Sequence, residues 1–112
     1  MRIALHSRLH EGRELAYEAA HRTVPADLLA ALQQVGITEW VIWRSGQDLF
    51  HVVECADFDA AMRELTDREV NQRWQEAMKA YVASFAQNPE GAAGLGLRHV
   101  WTLSEQATED TE

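Results

Sequence analysis

The chain has 112 residues, 46% of them apolar, which suits one domain with a real core and argues against global disorder. Its formal net charge is −8, half of it carried by Glu105, Glu109, Asp110 and Glu112 at the C-terminal end. An acidic body without a basic run is a poor nucleic-acid ligand, because phosphate neutralisation supplies most non-specific affinity. No apolar run approaches the ~18 residues of a membrane span. The first ten residues mix His6, His10 and arginine into their apolar pattern, so no secretory leader is expected. Cys55 is the lone cysteine, which rules out an internal disulfide and a Cys-rich zinc site. A cytoplasmic protein without nucleic-acid or membrane partners is the expectation.

Residues 2–9 alternate, with Ile3, Leu5 and Leu9 on one side and His6 and Arg8 on the other, and predict a strand. Residues 11–35 carry a helical stripe, Tyr17, His21, Val24, Leu28, Leu32 and Val35. Pro25 interrupts it, predicting a kink or two abutting helices, and Gly36 suits the end. Residues 37–44 and 49–55 are β-branched and aromatic around an SGQD turn and predict a hairpin. Asp57 is a good N-cap for a helix over 58–66. A further helix is expected over 68–86, with Val70, Trp74, Met78, Tyr81 and Phe85 on one stripe. A Gly-rich loop follows at 88–96, then a last strand at 97–103, then a polar, flexible tail at 104–112.

With the last two helices taken as one crossover, this order is the split βαβ pattern of the ferredoxin-like α+β fold. Four antiparallel strands would carry helices on one face, in a single domain over 1–103. The other face also bears apolar side chains, and face-to-face pairing of two copies in a homodimer would cover it.

Tyr17 and His21 lie four apart on the apolar stripe, so both should point inward side by side. Histidine exchanges protons near neutral pH, although a histidine on an apolar face is more often a core residue satisfied by one carbonyl. Trp40, Trp43, Trp74 and Trp101 are many for this length, and indole faces stack on sugar rings, with core or dimer-interface roles the alternative. Trp40 and Trp43, three apart on a strand, should face opposite sides, so at most one lines a given pocket. His6, His51 and His99 fall on expected strands and in register could approach one another, but no HxH or HxxxH spacing occurs and no metal is expected. The GLG at 94–96 lacks a lysine and is no phosphate cradle.

The segment Tyr17-x-x-x-His21 with Pro25, Leu28, Leu32 and Gly36 resembles the first helix of L-rhamnose mutarotases. Val70-Asn71-Gln72-Arg73-Trp74, then Met78 and Asn88-Pro89, is similar to that family's QRWW segment and the loop after it, and Leu49-Phe50 with Val53-Glu54 to its third strand. The resemblance spans residues 2 to about 103, with almost no gaps in the first half. The resemblance implies a dimeric α/β-barrel subunit that interconverts the anomers of a 6-deoxy-L-hexose, L-rhamnose or L-fucose, without cofactor or metal. It implies His21 as the catalytic residue with Tyr17 assisting, and Trp40, Trp74 and Gln75 as sugar contacts beside Tyr17. Trp40 stands where the family usually has tyrosine and Gln75 where it has a second tryptophan, the tryptophan after the histidine is absent, and the proline is shifted by one. The alternatives from other classes are a cofactor-free oxygenase on the same scaffold and a non-catalytic small-molecule-binding module.

Overall fold

The structure is a computed structural model and describes residues 1–110. Its strands β1 (Arg2–Leu9), β2 (Ile37–Ser45), β3 (Asp48–Cys55) and β4 (Val82–Phe85) form one sheet in the order β2-β3-β1-β4. Every neighbouring pair is antiparallel, which is the ferredoxin-like arrangement.

Helices α1 (Glu14–His21) and α2 (Ala26–Gln34) connect β1 to β2. Pro25 separates them: its backbone is extended, and its carbonyl accepts from the amides of Leu28 and Leu29 at the start of α2. Gly36, at φ +93°, ends α2 in the left-handed region that glycine enters without strain. Between β3 and β4 come α3 (Phe58–Thr66) and α4 (Glu69–Met78). The Asp57 carboxylate caps α3 by accepting from the Ala60 amide at 3.0 Å.

The second half departs from the sequence expectation. The helix expected over 68–86 stops at Met78, and Val82–Phe85 is the fourth strand. A stretch such as Tyr81-Val82-Ala83-Ser84-Phe85 fits either period, and short apolar runs do not choose between them. The free edge of β1 decides. Phe85 pairs with Ser7 and Val82 with Leu9, while the Ala86 amide donates to the His6 carbonyl at 2.8 Å. The strand expected over 97–103 is not in the sheet. Only the Leu97 amide reaches β1, at Ala4 O, 2.8 Å. Where a tail was expected, Leu103–Asp110 forms helix α5, and the last two residues lie outside the described ones.

One sheet face is covered by helices and holds two core clusters. Phe58, Val53, Leu5, Ala61 and Leu65 anchor the first. Leu9, Leu49, Met78 and Tyr17 form the second, which carries the site described next. A bulge in β2 between Ile37 and Glu39 has a large consequence. Ile37 is buried against the helices, and strict alternation would then send Val41 and Trp43 inward. The extra residue flips the parity, so that Trp40, Ile42 and Arg44 share the covered face with Val53, His51 and Leu49. Trp43 is left on the open face beside Phe50, 58% and 43% exposed.

Candidate active site

Helix α1 is only two turns long, and its inward face carries Tyr17 and His21 with ring centroids 4.2 Å apart. Tyr17 is buried between α1 and the ends of β1 and β3, while His21 is half-buried. His21 Nδ1 lies 3.0 Å from the Tyr17 carbonyl oxygen. A carbonyl only accepts, so Nδ1 carries the hydrogen, and in the neutral ring Nε2 keeps its lone pair. Trp74 from α4 meets the His21 ring edge-on, at 5.3 Å and 81°. Three of the sequence-predicted site residues are thus together, drawn from two helices far apart in sequence.

Burial pushes the Tyr17 phenol up to about 12. At neutral pH it remains a hydroxyl that donates a hydrogen bond and does not ionise. A cavity of about 250 Å³ opens beside it between α1 and β2, walled by Tyr17, Glu18 and His21 on the helix and by Ile42, Arg44 and Leu49 on the sheet. Drug-sized ligands occupy ~300–1,000 Å³, so this space suits something smaller. Arg44 Nε binds Glu18 Oε1 at 3.0 Å and its Nη1 donates to the Gly46 carbonyl at 2.9 Å, placing an ion pair on the cavity wall.

Next to Ile42 across the strands stands His51, 4% exposed. Trp40 Nε1 donates to its Nδ1 at 3.1 Å, and its Nε2 lies 2.9 Å from Ser7 Oγ. Burial first, then repulsion from the charges of His21 and His6, pushes the His51 imidazolium down to about 4, so the ring is neutral near pH 7.

Trp40 was expected at the site and is found on the covered face, tied to His51. Gln75 was expected to contact substrate, but it is exposed on α4 and its amide reaches Asn71 Oδ1 at 3.5 Å. One residue on from Trp74, it is turned about 100° around the helix, away from His21. The three histidines weighed as metal ligands are dispersed. His6 is on the open face, 2.9 Å from Asp48 Oδ1; His51 is on the covered face; His99 lies outside the sheet against Thr102 Oγ1 at 2.6 Å. Among the described residues no three His, Cys, Asp or Glu side chains are grouped to hold a metal ion. Sequence reasoning missed Glu18, Arg44 and Ser7. Ser7 carried a signal, being the one polar residue on the inward parity of Ile3, Leu5 and Leu9.

A histidine, a tyrosine and a tryptophan gathered over one end of a four-stranded antiparallel sheet describe a small α+β enzyme of the ferredoxin-like class. Over residues 2–103 the chain matches the L-rhamnose mutarotase family, and it belongs to that family. This places it among the mutarotases, isomerases that interconvert the anomers of a sugar. It is 30% identical over 96 residues to an L-rhamnose mutarotase of Sinorhizobium medicae, covering 84% of this chain and 91% of that one. In fold it is similar to the crystal structure of an L-rhamnose mutarotase from Formosa agariphila, with TM-score 0.72 and 21% identity over 92% of this chain and 98% of the other. The tetracenomycin F2 cyclase of Streptomyces glaucescens, a type-II polyketide cyclase, shares the fold at TM-score 0.57 and 19% identity, over 91% and 95% of the two chains. The fold therefore does not select the chemistry, and the site must.

Proposed function

We propose that the protein accelerates exchange between the α and β anomers of a 6-deoxy-L-hexose, L-rhamnose or L-fucose, by acid/base-assisted ring opening at His21. One observation carries this reading: the Tyr17 carbonyl commits Nδ1 of His21 and leaves Nε2 as a base beside a cavity smaller than a drug-sized pocket. Nε2 takes the proton of the anomeric hydroxyl, the bond from C1 to the ring oxygen breaks to give the open aldehyde, and the imidazolium returns the proton to the former ring oxygen. Rotation about C1–C2 and closure in reverse yield the other anomer. Atoms and charge balance without redox, metal or cofactor. Positioned acid/base catalysis typically supplies ~10²–10⁴-fold, which is sufficient for a reaction that is already fairly fast in water.

Tyr17, held as a hydroxyl, donates to a sugar oxygen, and Trp74 and Trp40 offer ring faces to its C–H surface. Gln75, which faces solvent, is left out of this set. Trp40 has more stacking area than a tyrosine and accepts no hydrogen bond, so hydroxyl orientation is read differently from a site with tyrosine there, and L-fucose competes with L-rhamnose. A polar group left unpaired by the wrong epimer costs ~1–3 kcal/mol, roughly tenfold to a hundredfold in preference. Saturation-transfer NMR across a panel of aldoses tests the assignment. Faster exchange of L-rhamnose or L-fucose is expected, and rates equal to buffer for both would sink it.

Two further parts of the reading concern setting and assembly. The buried free thiol of Cys55 suits the reducing cytoplasm, where we place the protein as a single domain over 1–103 followed by the acidic 104–112. No helix among the described residues is long and apolar enough to cross a membrane. The open sheet face, with Trp43 and Phe50 exposed and His6 stacked on Phe50 at 5.0 Å, pairs with the same face of a second copy. Burying a large apolar side chain is worth ~1.5–3 kcal/mol, and the two-fold doubles each contribution. Sedimentation at micromolar concentration should show a dimer that Trp43→Arg shifts to monomer; a stable wild-type monomer would refute the pairing.

A further inference from the structure

Both ring nitrogens of His51 are spoken for. An indole N–H only donates, so the bond from Trp40 Nε1 at 3.1 Å requires a bare Nδ1. The neutral ring then carries its hydrogen on Nε2, which donates to Ser7 Oγ at 2.9 Å. Ser7 and His51 are both almost wholly buried, at 1% and 4% exposure. Phe85 lies against the histidine ring at 5.5 Å, and Trp40 meets it edge-on at 6.0 Å. No lone pair or hydrogen of His51 is free for a ligand, so it is not a second acid or base. Yet it sits opposite Ile42, whose side chain walls the cavity, and Trp40 is the next residue of β2 on that face.

We propose that His51 is a positioning residue for substrate recognition: through the Ser7–His51–Trp40 chain it occupies the Trp40 indole N–H, so that Trp40 offers a bound sugar its ring face and no hydrogen bond. The inference deepens the mutarotase reading and rests on it for its kinetic consequence, while its structural half stands on the hydrogen bonds alone. The chain also couples the parity set by the β2 bulge to the orientation of the indole. Stacking of this kind acts on substrate and transition state alike, so its loss raises KM and leaves kcat nearly unchanged.

Two measurements test this. In ¹⁵N-labelled protein, the His51 ring nitrogens should report the neutral Nε2–H form, and the Trp40 indole hydrogen should exchange slowly, with and without L-rhamnose. A hydrogen on Nδ1, or release of the indole N–H to added L-rhamnose, would overturn the proposal. In kinetics, His51→Leu removes both bonds and should raise KM about tenfold. His51→Gln keeps an acceptor for Trp40 and a donor for Ser7 and should restore most of the loss. An unchanged KM in His51→Leu, or an equal rise in a folded His51→Gln, would also overturn it. Where His51→Leu does not fold, Ser7→Ala, which frees the tautomer while sparing the ring, takes its place and should raise KM in the same direction. If the wild-type protein exchanges no sugar's anomers, the mutarotase reading fails separately, and the tautomer and indole-exchange results still decide the structural half.

Discussion

His21→Ala is expected to lower anomer exchange on the best sugar by roughly 10²–10⁴-fold, toward the rate in buffer. The size follows from the cavity's inventory. His21 Nε2 offers the cavity a lone pair that the contact at Nδ1 leaves open. The Glu18 carboxylate is held by Arg44, and the Tyr17 phenol, pushed up to about 12, does not give up its proton. The ring of His21 is half-buried and leans on Trp74, so its loss trims packing at one end of the second core cluster and leaves the main core intact. A folded, inactive variant is the expected product. Exchange NMR with matched circular dichroism checks it, and Tyr17→Phe, which keeps the ring and removes the hydroxyl, should show a smaller loss. Full activity in a folded His21→Ala would remove His21 from the mechanism.

Acidification should destabilise the fold through His51 as pH falls from 6.5 toward 4. In the unfolded chain this imidazole takes a proton near its ordinary value of 6.5; in the folded protein it resists until about 4. Between those values the unfolded state binds the extra proton, so stability falls as pH drops through the window and is level above it. The separation corresponds to roughly 3 kcal/mol, a large share of a small domain's stability. Asp48 acts lower on the scale. The hydrogen bond from His6 is the main reason its carboxyl is held below the usual range, so its contribution is lost only as pH falls through and beneath that range. Urea midpoints at pH 7, 5.5 and 4 should therefore drop steeply for the wild type and shallowly for His51→Gln, whose amide does not titrate. Equal slopes for the two proteins would show that another group sets the acid sensitivity.

Much of this was legible in the sequence, for reasons of backbone geometry. The alternation of residues 2–9, the paired strands around SGQD and the Asp57 cap reappear as β1, the β2–β3 hairpin and α3 because strand and helix periods and caps are local properties. The four-residue step from Tyr17 to His21 guaranteed that, on a helix, the two rings would be neighbours. Other features depended on partners distant in the chain. Tyr81-Val82-Ala83-Ser84-Phe85 became a strand because β1 offered an unpaired edge, which it takes at Ser7–Leu9, while residues 97–103 meet that edge through the Leu97 amide at Ala4 O. Trp40 and Trp43 were known to face opposite ways, but the bulge after Ile37 decided which of them turned toward the helices. The union of Ser7, His51 and Trp40 required three strands in one register, and Gln75 turned outward because Trp74 already faced His21. Periodicity is written residue by residue, whereas register, edge pairing and the direction of a bulge are set by the lowest free energy of the whole sheet with its helices in place.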